Sequence, residues 1–506
     1  MIGKDRAEDV ERLFKASSKV LNKKYRHFDT IPSEQNARNF ISDTVLDPKK
    51  VKRYRFFPFI VYSQERVRYH RTKGSLRAHA GHKVRPISLV AHHDALIYVK
   101  YAEKLNSCYE NYLNVNNISK VPTAYRKTLH HSNIEAAKEV FDFVVDTHGC
   151  WIIKGDFKGF FDNLRHRILK NNLCKVLSKN QLDPDWRSVF ESITRYRWVD
   201  SFNLTNALKR VRINRGKTAS YINNRSEFPK LISKGKLKVK GPNQIGIPQG
   251  TPISAVLANT YMIDFDKELS QIVTYLNGLY RRYSDDFVIV IPKSRLSEDK
   301  LNDFIHEVMV LSQQLTSLKI EQHKTKAFNF ADNKITLHRL SGVQDSKMVW
   351  FDYLGFVFNG ATVRMRERGV YKFHYKSKRA INLFLRIESD RERIKNNTVP
   401  SAMEKQKLVW ISGRHVFQPL SSIPSKSKYE RRIVQTRKNI SYNLSTAKLA
   451  TKMYVTGKRY GERYSMVGYA KRAQALLSEN DNRYQVEVLD QVRQQIRLNQ
   501  IRIKEI

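Results

Sequence analysis

Leu279-Tyr280-Arg281-Arg282-Tyr283-Ser284-Asp285-Asp286-Phe287-Val288-Ile289-Val290-Ile291 is the stretch on which the reading of this chain turns. It is an apolar run, a break holding two adjacent carboxylates, and a second apolar run. Val288 to Ile291 is β-branched throughout, which favours a strand over a helix. Leu279 to Tyr283 is short and aromatic-rich, so a hairpin with the carboxylates near its tip is expected. Neighbouring ionised carboxylates repel, and holding them beside apolar strands is costly unless a cation sits on them. A divalent metal solves this, and hard Mg²⁺ takes oxygen ligands. Ser-Asp-Asp is also ordinary turn chemistry, so this stretch alone leaves an exposed turn open beside a metal site.

Two further segments bear on that choice. Trp151-Ile152-Ile153-Lys154-Gly155-Asp156-Phe157-Lys158-Gly159-Phe160-Phe161-Asp162 places Asp156 just after a short apolar strand. Gly246-Ile247-Pro248-Gln249-Gly250-Thr251-Pro252-Ile253-Ser254 is a Gly/Pro-punctuated loop that leads into Ala255-Val256-Leu257-Ala258-Asn259. Aspartate strand, PQG loop and Tyr-x-Asp-Asp hairpin occur in the order that the reverse transcriptases show in their palm, and the chain resembles that family. Tyr353-Leu354-Gly355-Phe356 resembles the family's Phe-Leu-Gly-Phe element, and the likeness covers residues 50 to 375.

The resemblance implies an α+β, right-hand polymerase fold: fingers, a palm with an antiparallel sheet, and a helical thumb. Residues 1–50 would be a helical extension, 51–150 the fingers, and 151–164 the first part of the palm. Residues 165–245 would connect fingers and palm, 246–375 would complete the palm, and 376–506 would form the thumb and a basic helical C-terminal extension. Asp156, Asp285 and Asp286 would be the catalytic and metal-binding acids, sharing two Mg²⁺ ions, with Mn²⁺ able to substitute. Arg85, in Val84-Arg85-Pro86-Ile87-Ser88, would reach the incoming triphosphate, a task that suits the planar fork of arginine. Lys83 is a weaker candidate for the same work, and a solvated basic surface accounts for it better. Phe161 would lie beneath the nucleotide sugar and leave no space for a 2′-hydroxyl, which favours DNA synthesis; a core aromatic beside Phe157 and Phe160 is the alternative. Gln249 would contact the incoming nucleotide, and Lys324, in His323-Lys324-Thr325, would lie near the departing pyrophosphate as general acid or phosphate cation.

Composition agrees with a nucleic-acid partner. The 506 residues hold 92 Lys+Arg against 48 Asp+Glu, a formal net charge of +44. Such an excess is self-repelling unless a polyanion neutralises it, so nucleic acid is expected, with binding that weakens as salt rises. The expected partners are an RNA template, in particular a structured noncoding RNA, a DNA product and dNTPs; a homo-oligomer is left open. Cys108, Cys150 and Cys174 show no zinc spacing and read as small buried thiols. The charged N-terminus and the lack of any run near the about 18 apolar residues of a membrane span predict a cytoplasmic protein in a reducing compartment.

The remaining segments carry softer signals. His92, His93 and Asp94 resemble a polar pair and an aspartate that precede a fingers helix, and the two histidines are too few to predict a zinc site. Ala124-Tyr125-Arg126-Lys127 also looks like a family segment, and could line the template path. Thr251-Pro252 reads as a helix start, an N-cap hydroxyl followed by Pro at the first helical position. Lys234-Gly235-Lys236-Leu237-Lys238-Val239-Lys240 alternates like a strand with one cationic face. Beyond Lys376 the chain reads as basic amphipathic helices carrying Tyr429, Tyr442, Tyr454, Tyr460, Tyr464, Tyr469 and Tyr484. Such mixing suits stacking on bases and pairing with phosphates, or core packing.

The function expected is RNA-directed DNA polymerisation, a nucleotidyl transfer. A polymerase core with a long basic tail most resembles the bacterial defence-associated reverse transcriptases, whose companion noncoding RNA serves as template or scaffold in antiphage defence. Alternatives are a group II intron-like or retron-like enzyme, an untemplated or protein-primed DNA polymerase, and a nucleic-acid-binding scaffold with a silent site.

Overall fold

The computed structural model describes residues 2–70, 79–126, 128–208, 220–338, 344–375, 378, 381–382, 406–411, 414–419, 466–479 and 483–504. The chain divides into two compact units, residues 1–130 with 151–327, and residues 131–150 with 328–506.

The first unit is built on helices and two groups of strands. Its N-terminal part is helical, Ile2–Ala16, Ser18–Leu21, Glu34–Phe40 and Pro48–Lys52, with a π-helical turn Ile41–Val45. Ser33 and Asp47 cap two of these helices, accepting from the backbone N–H of Asn36 and Lys49; capping supplies acceptors for N–H groups that a helix start leaves unpaired. A long antiparallel pair, Phe59–His70 with His79–Leu89, follows, and Trp198–Asp200 adds a short parallel strand to its outer edge. In the second group, Asp286–Pro292 lies between Leu279–Tyr283 and the strand Gly149–Asp156. These strands are apolar enough to be covered on both faces: Ile152, Ile153, Val288, Ile289, Val290 and Ile291 are all buried. Helices His92–Val115, Ser254–Tyr261 and Ile263–Tyr275 supply much of the cover, through Leu96, Leu105, Leu257, Tyr261, Phe265 and Leu269.

Several local expectations need correction. His92, His93 and Asp94 do not precede the helix; they are its first turn, and Asp29 accepts from the backbone N–H of both histidines at 3.0 and 2.8 Å. An acid 63 residues earlier therefore caps the helix, which a local reading cannot see. The helix after the PQG loop begins at Ser254, with Ile253 as N-cap. The Thr251 hydroxyl nonetheless accepts from the Ser254 N–H at 3.1 Å, so the cap chemistry was legible and its position was not. Lys234–Lys240 forms no strand: Trp198 and Lys240 make an isolated bridge. Its alternation survives as Leu237 buried and Val239 packed on a small core, with Lys236 and Lys238 exposed.

The described residues of the second unit include an antiparallel meander, two further antiparallel strand pairs and three helices, the first of them Asn133–Asp146. Phe351–Tyr353, Phe356–Phe358 and Thr362–Met365 form a meander, to which Gln485–Val486 adds a parallel strand. Leu354 and Gly355 link the first pair, with φ of +46° and +95°; a two-residue hairpin whose residues both have positive φ matches strand twist. Phe351, Phe356 and Phe358 are buried, and Phe141 from the helix Asn133–Asp146 packs on two of them. Lys334–His338 and Gln344–Met348 also pair. In the stretch expected to be helical, Met466–Leu477 and Val488–Lys504 are helices, but Gln406–Ile411 and Arg414–Pro419 are an antiparallel hairpin. Tyr429, Tyr442, Tyr454, Tyr460, Tyr464 and Lys127 lie outside the described residues, as does the side chain of Lys83. Tyr469 and Tyr484 are described: the Asn133 amide donates to the Tyr469 hydroxyl, and Tyr484 donates to Asp142.

The three cysteines are free thiols, with Cys150 and Cys174 buried. Among the described residues no helix is long and apolar enough to cross a membrane.

Candidate active site

The carboxylate stretch folds as a tight hairpin. Its register runs from Leu279 opposite Val290 to Tyr283 opposite Asp286, leaving Ser284 and Asp285 as a two-residue loop. Ser284 takes the left-handed backbone conformation, φ +61°, which such a loop demands. The aspartate strand lies beside it. Phe157 N–H, the residue after Asp156, donates to the Asp285 carbonyl at 3.0 Å. Two acids far apart in sequence are thereby side by side. Gly155 makes the approach feasible, because a Cβ there would fall 2.2 Å from the Phe287 ring.

Lys324 joins the pair from a third segment. Glu321 N–H donates to the Asp156 carbonyl at 2.9 Å, which sets the short turn Gln322–Lys324 over the strand end. The ammonium then lies 2.9 Å from Asp156 Oδ1 and 3.8 Å from Glu321 Oε1. Burial pulls the Lys324 pKa down, but the hydrogen bond to Asp156 and the charges of Asp156, Glu321 and Asp285 outweigh it and hold the amine protonated.

Among the described residues, no three His, Cys, Asp or Glu side chains converge as a ready-made metal cage. Asp286 starts the second strand, opposite Tyr283, while Asp285 is in the loop. The pair Asp156 and Asp285 still fits a hard divalent ion. It offers carboxylate oxygens, Asp156 keeps about a quarter of its side chain exposed, and one ammonium already balances it. Mg²⁺ suits one or two carboxylates, with water and substrate phosphate completing its shell.

A second cluster holds the other expected residues. Phe161 sits in the turn Phe160–Asp162, half-buried and edge-on to Phe160 at 5.5 Å between ring centres. Its carbonyl accepts from Ile247 N–H at 2.9 Å. Gly246 is required there, with φ +79° and a Cβ position only 2.6 Å from the Asp162 carbonyl oxygen. Gln249 donates a side-chain hydrogen bond to Asp162, whose pKa burial nevertheless raises. The Gln249 carbonyl accepts from Ser88 N–H at 2.9 Å. This ties the PQG loop to the strand that carries Arg85, which is half-buried and opposite Gln64. Phe161, Gln249 and the Arg85 strand are thus laced together, and Asp156, Asp285 and Lys324 form the neighbouring group, joined to it through residues 157–161. The backbone of Lys83 lies on the Arg85 strand, opposite Arg66.

One part of the site was missed in the sequence. Arg282 and Asp266 form an ion pair with neither side chain exposed. Nε and Nη2 of Arg282 reach Asp266 at 2.8 and 2.6 Å, and Tyr280 donates its hydroxyl to the same carboxylate at 2.9 Å. Burial lowers the arginine pKa, but the Asp266 charge and hydrogen bonds overcome that and raise it. The remaining nitrogen, Nη1, donates to the Ser284 carbonyl at 3.1 Å and to Asn259 Oδ1 at 3.3 Å. The buried cation therefore holds the hairpin loop from beneath. The signal available was two adjacent arginines in a short aromatic strand: side chains alternate between the faces, so one of the two points into the core and demands a buried partner.

Known proteins resemble parts of this chain. Protein YkfC of Escherichia coli (strain K12) is 21% identical over 293 residues, 51% of this chain and 63% of that protein. The chain thus spans less than two thirds of that relative. Among solved structures, apo telomerase from Candida tropicalis truncated from its C-terminal domain aligns at a TM-score of 0.39 and 11% identity, over 65% of this chain and 59% of that one. Telomerase from Candida albicans in complex with the TWJ fragment of telomeric RNA aligns at 0.34 and 12%, over 90% and 65%. The family model described as reverse transcriptase (RNA-dependent DNA polymerase) matches residues 77–358, more than half of the chain. That span contains the aspartate strand, the PQG loop and the carboxylate hairpin. With α+β architecture and all three elements meeting in one unit, the chain belongs to the reverse transcriptase family and has its right-hand polymerase fold.

Proposed function

We propose that the chain is an RNA-directed DNA polymerase that adds deoxynucleotides to a 3′-hydroxyl and releases pyrophosphate. The observation that carries this is the 3.0 Å bond from Phe157 N–H to the Asp285 carbonyl, which sets the two acids at one place. Asp156 and Asp285 would hold Mg²⁺, with Asp286 orienting the site from the adjoining strand. When bound, the metal lowers the pKa of the attacking hydroxyl and neutralises the triphosphate. Lys324 brings a protonated amine to the same carboxylates, placed to donate a charge or a proton to a departing phosphate. Arg85 offers a two-pronged guanidinium to phosphate oxygens, and Lys83 a weaker second cation. Gln249, held by Asp162 and by Ser88 N–H, faces the nucleotide with a fixed backbone. Phe161 fills the space that a 2′-hydroxyl would occupy. Most of the rate enhancement then comes from positioning and charge.

The excess of 92 Lys+Arg over 48 Asp+Glu supports a nucleic-acid partner. We further infer a structured companion RNA as template or scaffold, a cytoplasmic location, and a role in antiphage defence. The support for the companion RNA and the defence role is the resemblance of a polymerase core followed by a basic, tyrosine-rich tail. A scaffold with a silent site is disfavoured, because anionic residues facing phosphate would weaken binding without serving chemistry.

Primer extension on an RNA template, with Mg²⁺ and each dNTP supplied singly, tests the polymerase reading; templated incorporation is expected, and its absence would refute it. Ribonuclease treatment before the assay separates untemplated synthesis. Sequencing of nucleic acid that copurifies with the protein tests the companion RNA: one dominant structured species is expected, and a random sample of cellular RNA would contradict it.

A further inference from the structure

Tyr125 stands out in the first unit. It is half-exposed, at 50%, and holds φ +64°, a conformation that side chains with a Cβ adopt at a cost. The other non-glycine residues with positive φ among the described ones are Asn, Asp, Ser or His, apart from Leu354. Leu354 is explained by its hairpin loop, whereas Tyr125 is in no hairpin.

The backbone on either side of Tyr125 is locked. The Asn259 amide donates to the Ala124 carbonyl at 2.9 Å. Arg126, only 7% exposed, pairs with Glu110 and donates to the carbonyls of Ser119 and Pro122. One step earlier, Thr123 N–H donates to the Arg282 carbonyl at 2.9 Å, and Arg282 N–H donates to the Val121 carbonyl at 2.9 Å. Residues 121–123 thus run beside the catalytic hairpin, bridged to it at Pro122 and Arg282. The Tyr125 hydroxyl ends 3.3 Å from Ser284 Oγ, one residue from Asp285. Strained backbone that its surroundings over-determine is a mark of a functional position, and here the strain turns an aromatic ring outward at the hairpin tip.

We propose that the Tyr125 ring is a stacking platform for a nucleobase of the bound primer–template, fixing that strand against the Ser284–Asp285 loop. The inference rests on the polymerase reading for the identity of the strand. The hydroxyl's tie to Ser284 sets the ring angle, and the ring supplies the contact. Every base has a π-face, so such a platform tolerates any sequence.

The test uses the full-length chain and an RNA–DNA primer–template, with Tyr125→Phe, Tyr125→Leu and Tyr125→Gly. Glycine relieves the backbone strain, so melting temperature should hold or rise in Tyr125→Gly. Primer–template affinity should nevertheless fall about 5- to 150-fold, the range of one base–aromatic stack. Tyr125→Phe should stay within about threefold of wild type, since the ring remains. An abasic nucleotide at the templating position, or in a second arm at the primer 3′ end, identifies the partner. In the correct arm wild type should lose what Tyr125→Gly loses, and the two changes together should add nothing further. Wild-type affinity in Tyr125→Gly, or additive losses in both arms, would overturn the proposal. Affinity is read without turnover, so a wild-type protein that binds but never incorporates refutes the polymerase reading and leaves this one to be judged by the cycle.

Discussion

The buried pair beneath the hairpin makes the sharpest structural prediction. Arg282 and Asp266 are both fully buried, so replacing one strands the other as an uncompensated charge. Breaking a buried pair in this way costs about 3–5 kcal/mol, and where Asp266 is the residue replaced Tyr280 loses its acceptor as well. For a domain of this size each kcal/mol moves the melting temperature by roughly 2–4 °C. Arg282→Met or Asp266→Leu alone should therefore lower it by about 6–20 °C. Arg282→Met combined with Asp266→Leu removes both charges and fills the volume with apolar atoms, an exchange that is often neutral or stabilising. The double variant should recover most of the lost stability. It should not recover activity, because Arg282 Nη1 no longer donates to the Ser284 carbonyl and the loop carrying Asp285 loses its hold from beneath. Thermal unfolding paired with single-nucleotide incorporation separates the two effects, with kcat expected to fall more than primer–template affinity. A double variant that regains both stability and kcat would refute the claim that this pair positions the loop.

Three further outcomes follow from the same geometry. Phe161→Val opens space at the sugar, so the ratio of kcat/KM for dNTP over rNTP should fall by about tenfold or more, within the range that a few methylenes of pocket shape contribute; an unchanged ratio would assign Phe161 to the core instead. Gly246→Ala forces a Cβ toward the Asp162 carbonyl at positive φ, so it should lose more than about 1 kcal/mol in chemical denaturation and weaken incorporation through Gln249; full stability would contradict the described loop. Burial and then the Asp29 charge push the Asp94 carboxyl up from 3.8 to about 8. The folded state holds a proton that the unfolded chain has released, so this contribution to stability is present below pH 3.8 and lost as pH rises toward 8. Asp94→Asn cannot ionise but keeps only one acceptor for the two donors Tyr54 and Phe57 N–H, so it starts less stable at low pH and its melting temperature should gain on wild type from pH 5 to pH 8; parallel curves would count against it.

What was legible in the sequence was local. A β-branched run broken by Ser-Asp-Asp codes a hairpin wherever it is placed, and the structure has it at Leu279–Tyr283 and Asp286–Pro292. The convergence of Asp156 with Asp285 was expected only through the resemblance, since spacing says nothing about which strands become neighbours. Thr251 shows a middle case: its hydroxyl caps as its chemistry demands, yet the helix starts at Ser254 because Thr251 and Pro248 together hold that serine. The lysine run 234–240 kept its alternation of buried and exposed residues without a ladder, because pairing depends on a partner strand that periodicity cannot supply. Asp29 capping the His92 helix and Asp266 neutralising Arg282 were invisible for the same reason. Both are long-range electrostatic pairings that exist only once burial removes water.

The most direct measurement of the central claim is single-nucleotide incorporation by Asp156→Asn and by Asp285→Asn, across a Mg²⁺ titration, beside primer–template affinity. Both variants should lose at least about a thousandfold in rate at every Mg²⁺ concentration while binding primer–template as wild type does. Wild-type-like incorporation by either would show that these two acids do not share one site of chemistry.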